Sequence, residues 1–201
     1  MKYIYYLSLG ANLGDKLTSL SRAIEALGSI GDVARVSQMY ETPPWGKLDQ
    51  PAFVNCAAIV VSELPPLAFL HHCQRIEKAL GRVRHEHWGA RTIDVDMLLV
   101  QATGDLPSGQ RCYAEIRQNY MAVEFFSVDM QELQLPHPYM LERAFVMVPL
   151  AEIAPELVLD GGRTAQEICD SLPDKSSIVR LDRSSNADEG AVLQERGACK
   201  E

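Results

Sequence analysis

The sequence predicts an α+β fold of the ferredoxin-like type, a βαββαβ sandwich with helices packed on an antiparallel sheet. Three observations predict it. Runs rich in branched and aromatic residues at 3–9, 33–41, 53–61 and 93–100 read as strands. Two segments between them repeat apolar residues at helical spacing. Glycines and prolines punctuate the joins. The resulting order is strand, helix, strand, strand, helix, strand, and it places the helices on one face of the sheet.

The first strand, 3–9, ends where Gly10 to Gly14 break the pattern. Leu17, Leu20, Ala23, Ile24 and Leu27 then make one helical face, closed by Gly28 and Gly31. A second strand covers 33–41. The stretch Thr42-Pro43-Pro44-Trp45-Gly46 is a loop, because paired prolines before a glycine allow little else. After the third strand, Pro65 and Pro66 open a helix, a favoured place for proline. Its stripe is Phe69, Cys73, Ile76 and Leu80, and Gly81 ends it. A basic loop over 82–91 leads into the fourth strand. Turn signals fill much of 101–134, an insertion-like segment with a possible strand at 123–128. A short helix is expected at 139–144. The main domain is expected to span 1–175, with a polar, mobile tail over 176–201.

A chain of 201 residues with 47% hydrophobic content holds one domain with a real core. Its net charge of −8 argues against a general nucleic-acid binder, so a site for an anionic ligand needs a local basic cluster. Gly10 and Asn12 come too early for a signal peptide, and no apolar run approaches the roughly 20 residues of a membrane helix. The five cysteines, Cys56, Cys73, Cys112, Cys169 and Cys199, are odd in number and lack CxxC spacing. They read as reduced thiols of a cytoplasmic protein.

The strongest chemical signal is Gly81-Arg82-Val83-Arg84-His85-Glu86-His87-Trp88-Gly89-Ala90-Arg91-Thr92-Ile93-Asp94-Val95-Asp96. Alternate residues on a strand share a side, so Asp94 and Asp96 face one way. Ile93, Val95, Met97 and Leu99 face the other, toward the core. Neighbouring carboxylates repel unless a cation joins them, and oxygen ligands of this kind suit magnesium carried in with substrate phosphates. Arginines close by would hold the same phosphates. The Asp-Val-Asp triplet alone reads more readily as a solvated sheet face. Arg82, Arg84 and Arg91 are what raise the phosphate reading.

Two further groupings stand out. Phe53 and Asn55 share a strand face, where a ring beside an amide suits a flat heterocycle, although the strand pattern alone favours a core phenylalanine and an asparagine satisfying a neighbouring loop. His137, Arg143 and Phe145 offer phosphate and stacking contacts, although each taken singly reads as structural. His71-His72-Cys73 lacks zinc-ligand spacing. No GxxxxGK[ST] or GxGxxG motif occurs.

These residues fall into blocks. They are Leu7-Ser8-Leu9-Gly10-Ala11-Asn12-Leu13-Gly14-Asp15, Tyr40-Glu41-Thr42-Pro43-Pro44-Trp45-Gly46, Gln50-Pro51-Ala52-Phe53-Val54-Asn55, the basic loop with Asp94-Val95-Asp96, Leu135-Pro136-His137-Pro138, and Arg143-Ala144-Phe145. In this order they resemble the 6-hydroxymethyl-7,8-dihydropterin pyrophosphokinase family across 4–155. The resemblance implies attack of the pterin hydroxymethyl oxygen on the β-phosphorus of ATP, with AMP leaving. It implies that Asp94 and Asp96 hold two magnesium ions and that Arg82 and Arg91 engage the phosphates during transfer. By the same likeness, Arg84 and Trp88 lie in a loop closing over ATP. His137 and Arg143 contact nucleotide phosphates, and Gln74 and Glu77 border the nucleotide. Phe53 and Phe145 enclose the pterin, while Asn55, Thr42 and Pro43 meet its edge. The implied partners are small molecules, ATP and the dihydropterin, with no nucleic acid and no membrane.

The chain departs from the family pattern at His87 and Ala90, in the length of 101–134, and in the polar tail. Two other readings share the fold: a different magnesium-dependent nucleotidyl or phosphoryl transferase, and a non-catalytic binding module.

Overall fold

The structure, a computed structural model, describes residues 2–83, 89–103 and 127–181. Its first part follows the expected order: β1 (Lys2–Ala11), α1 (Lys16–Leu27), β2 (Asp32–Val36), β3 (Tyr40–Thr42), β4 (Phe53–Ser62), α2 (Pro66–Ala79) and β5 (Asp94–Thr103). Of the two helix starts, only the prolines of α2 are expected from the sequence. Asp15 accepts the Thr18 N–H at 3.1 Å to start α1, and Pro66 sits at the head of α2. The strands align as β5–β1–β4–β3, with β2 also on β4, and every pairing is antiparallel. This is the split βαββαβ arrangement.

The helices do not keep to one face. Tyr5, Leu7, Leu9, Val54 and Cys56 pack against α1 and α2 through Leu20, Leu27, Phe69 and Cys73. Ile4, Tyr6, Ala57, Ile59 and Leu98 pack on the opposite side, against α3 (Ala144–Ile153) and α4 (Ala165–Ser171). A sheet covered on both sides needs strands that are apolar along most of their length, and the central strands β1 and β4 are, the buried polar exceptions being Ser8 on β1 and Asn55 and Ser62 on β4. The α3 sequence is apolar all round and contains Pro149, so it shows neither a helical stripe nor an uninterrupted helix former. Burial against the sheet holds it helical. The helix expected at 139–144 is instead a 3-10 turn, Met140–Glu142, leading into α3.

Three strand expectations change. The strand expected at 33–41 divides into β2 and β3. Between the pairs Val36–Ala58 and Tyr40–Asn55, three residues face two, a β-bulge. There the Ser37 hydroxyl accepts the Ala57 N–H at 2.9 Å, replacing a ladder carbonyl. Glu152 of α3 then accepts the Gln38 N–H and the Tyr40 hydroxyl, each at 2.9 Å. β1 runs through Gly10 to Ala11 rather than stopping before it. On β5, the register shifts opposite Tyr6 and Leu7, so Leu99 joins Leu98 on the α3 face instead of lying beside Met97.

β6 (Val128–Asp129) and β7 (Gln134–Leu135) form a separate hairpin. Of the strand expected at 123–128, residues 123–126 lie outside the described residues. The Leu135–Pro136 peptide bond is cis. Past Lys175 the chain adds β8 (Val179–Arg180) to β3, and Leu181 donates its N–H to Met39 O at 2.9 Å. Residues 182–201 of the expected tail lie outside the described residues. Among the described residues, no helix is long and apolar enough to cross a membrane.

Phe69 is fully buried and stacks on Tyr5 at 3.8 Å between ring centroids. Phe69→Ala should therefore cost roughly 3–5 kcal/mol in denaturant unfolding. A loss below about 1 kcal/mol would show that the α2 face is not the packed layer described.

Candidate active site

The cleft opens on the α3 face of the sheet, at the end that α3 leaves uncovered. Its floor follows from register. Gly10 of β1 pairs with Asn55 on one side and Asp94 on the other, and Ser8 pairs with Asp96. Small residues at these two β1 positions leave room above the strand. A Cβ at Gly10 would run into Asn55 Oδ1, which is why glycine sits in mid-strand. The cavity measures about 720 Å³.

Charge is concentrated on β5. Asp94 and Asp96 both face the cleft, and Asp94 is clasped by two arginines: Arg82 Nη1 bonds Oδ1 and Arg91 Nη1 bonds Oδ2. Arg82 also bonds Glu77 on α2, whose Oε1 accepts the Val95 N–H at 2.8 Å. Glu77 thereby ties α2 to β5. Burial pushes its carboxyl up, against the pull of Arg82. Burial also opposes the Arg82 charge, but Asp94 and Glu77 outweigh it and raise its pKa. Asp96 is pushed up to about 7, first by burial and then by the negative charge of Asp94; Arg91 and Arg143 pull the other way.

The opposite wall is aromatic and cationic. The Arg143 guanidinium lies 4.5 Å from the Trp45 ring centroid, 5.1 Å from Tyr139 and 5.7 Å from Phe145. Burial lowers its pKa, and its Nε has no hydrogen-bond partner. Arg91 lies over Phe53 at 5.5 Å. His137 is anchored by its N–H to Leu98 O at 2.8 Å, and its Nδ1 accepts the Tyr139 N–H at 3.2 Å. Burial, and then the charge of Arg143, lower its pKa to about 4. Near neutral pH it is therefore uncharged, with its proton on Nε2. At the pocket end, Asn55 Nδ2 donates to Thr42 Oγ1 at 2.7 Å.

The structure brings together Arg82, Arg91, Asp94, Asp96, Gln74, Glu77, His137, Arg143, Thr42, Pro43, Phe53, Asn55 and Phe145 around this one cleft. Arg84 and Trp88 lie outside the described residues. Sequence reasoning did not single out Ser8, Gly10, Trp45, Tyr139 and Glu132 as site residues, yet they line it too. A tryptophan directly after paired prolines was the available signal for Trp45. Asp94 and Asp96 offer carboxylate oxygens alone. Among the described residues, no cluster of three or more acidic, histidine or cysteine groups is poised for a metal. Further oxygens would have to come from a ligand such as a polyphosphate.

The chain is similar to known proteins over most of its length. The family model described as 7,8-dihydro-6-hydroxymethylpterin-pyrophosphokinase (HPPK) matches residues 6–155. A 2-amino-4-hydroxy-6-hydroxymethyldihydropteridine pyrophosphokinase from Methylorubrum extorquens is 42% identical over 179 residues, covering 88% of this chain and 98% of its own. One from Haemophilus influenzae is 37% identical over 175 residues, covering 86% and 95%. Among solved structures, an HPPK-DHPS in complex with substrates superposes with a TM-score of 0.63 at 14% identity, covering 90% of this chain. At that identity the likeness speaks for the fold. This chain spans about half of the solved one, 48%.

The burial of His137 gives a pH signature. Its unfolded pKa is 6.5 and its folded pKa about 4, so as pH falls the unfolded chain takes up the proton first. Stability from this group is present above 6.5 and lost as pH falls toward 4. Thermal melts from pH 7 to 4.5 should fall less steeply for His137→Gln than for the native protein. Parallel curves would show that His137 is not held neutral.

Proposed function

The chain belongs to the 6-hydroxymethyl-7,8-dihydropterin pyrophosphokinase family, and from that premise we propose how this cleft performs the family's transfer. The chain transfers diphosphate from ATP to the hydroxymethyl group of the dihydropterin, in folate biosynthesis. The observation carrying the site assignment is the pairing of two guanidinium groups on Asp94, beside Asp96, at one end of a cleft whose other end holds Phe53, Asn55 and Phe145.

In this reading the pterin lies between Phe53 and Phe145. Asn55 is oriented by Thr42, so its Oδ1 accepts from the amino edge of the ring, with Pro43 beside it. Its hydroxymethyl oxygen points toward Asp94 and Asp96. The triphosphate enters between β5 and the Arg143 wall, and the nucleoside lies toward Gln74 and the α2 side. Arg82 and Arg91, which hold Asp94 in the structure, turn their N–H groups to the phosphates as AMP departs. Preorganised cations at that point stabilise charge that develops on the transferred group. Neutral His137 donates from Nε2 to a phosphate oxygen without adding charge, and Arg143 adds charge from the opposite wall.

Asp94 and Asp96 would hold the magnesium ions. Their oxygen-only donor set fits, and so does the demand of Asp96 for a neighbouring positive charge. Magnesium bound there supplies charge neutralisation and alignment of the attacking and leaving oxygens. A cytoplasmic setting is supported by the unpaired, buried thiols of Cys56, Cys73 and Cys169.

AMP formation should require both the dihydropterin and magnesium. Asp96→Asn should lower turnover by about 100-fold or more with the melting curve preserved. Near-normal turnover in saturating magnesium would remove Asp96 from the metal role. Arg91→Ala should lower kcat by about 100-fold while pterin Kd changes by less than about threefold. Equal losses in both would show that Arg91 binds the pterin rather than the transition state.

A further inference from the structure

Asn12 lies outside the cleft lining, just after β1, and is almost wholly buried. Its side chain joins two segments that are far apart in sequence. Oδ1 accepts the Arg91 N–H at 2.8 Å. Nδ2 donates to Gln50 Oε1 at 3.1 Å and to Pro51 O at 3.2 Å. The backbone N–H groups of Asn12 and Leu13 both donate to Arg91 O, at 3.0 and 3.2 Å. Arg91 is therefore held at both its N–H and its C=O.

The chemistry of these partners leaves little choice of residue. The Arg91 N–H can only donate, and Pro51 O can only accept, so the amide has one orientation. Aspartate would lack the donor, and serine would fall short of one segment or the other. The next residues give the arrangement its reach. Pro51 precedes Ala52, whose carbonyl accepts from Lys16 Nζ at 3.2 Å, and then Phe53 begins β4 in the cleft. On the other side, the Arg91 side chain bonds Asp94 and lies over that same Phe53 ring.

We infer that Asn12 is a positioning residue for the transfer, setting Arg91 and the Phe53 end of the pocket in one fixed relation. It touches neither substrate. It acts through Arg91 on the phosphates and through 50–52 on the pterin ring. The inference rests on the assignment of Arg91 to the phosphates given above.

A double-mutant cycle tests it, with kcat read from AMP formation and pterin KM measured alongside. Asn12→Ala should lower kcat at least about tenfold in the native background and less than about threefold in Arg91→Ala, because the group it positions is already gone. An equal loss in both backgrounds, or no loss in the native one, overturns the inference. If Asn12→Ala does not fold, Asn12→Asp keeps the acceptor for the Arg91 N–H and removes both donors to 50–51. Its loss should then fall on pterin KM, rising at least about fivefold with kcat within about threefold; an unchanged pterin KM overturns the inference. Should Arg91→Ala alone leave kcat intact, the phosphate assignment fails instead, which separates the two failures.

Discussion

Three carboxylates lie close together at one end of this sheet, and the rest of the site depends on how their charge is balanced. Glu77, Asp94 and Asp96 would repel one another in a half-buried setting. Two arginines resolve most of the conflict by closing on Asp94, one of them shared with Glu77. Asp96 is left buried beside the charge of Asp94, and these two, burial first, raise its pKa against the pull of Arg91 and Arg143. A site arranged in this way is ready for a ligand that brings both cations for the acids and anionic oxygens for the arginines. A magnesium-bound triphosphate has both.

The fold supplies this balance through strand register and through two arginines of the loop that leads into β5. β1 carries small residues, Ser8 and Gly10, opposite Asp96 and Asp94, so the acids stand clear above the sheet. Glu77 fixes the strand to α2 by taking the Val95 N–H. Asn12, the residue after β1, fixes the Arg91 backbone just before β5. Helix α3 covers the same sheet face but begins only at Ala144, which leaves the end with the acids open and sets Arg143 at its rim. Sheet, helix start and arginine loop thus meet at one cleft.

Much of this was legible in the residues. The βαββαβ order, the shared face of Asp94 and Asp96, and the grouping of Phe53 with Asn55 all follow from strand periodicity, and the structure has each. What was missed has physical causes. The second helical layer escaped because α3 is apolar on every side and carries Pro149, so no amphipathic stripe announced it. Helix α4 did carry a local signal, the Thr164–Glu167 capping box, which went unread. The split of 33–41 turns on one hydroxyl, that of Ser37, substituting for a carbonyl. The place of Leu99 turns on a one-residue register shift that no alternation rule can foresee. Trp45 and Tyr139 come to the site only through their contacts with Arg143, a relation between segments far apart in the chain.

The most direct measurement is a crystal structure with a non-hydrolysable ATP analogue, magnesium and the dihydropterin. The account requires electron density for divalent cations about 2.1 Å from carboxylate oxygens of Asp94 and Asp96, with Arg82 and Arg91 moved from Asp94 onto phosphate oxygens. Phosphates bound elsewhere, with both guanidinium groups still closed on Asp94, would contradict it.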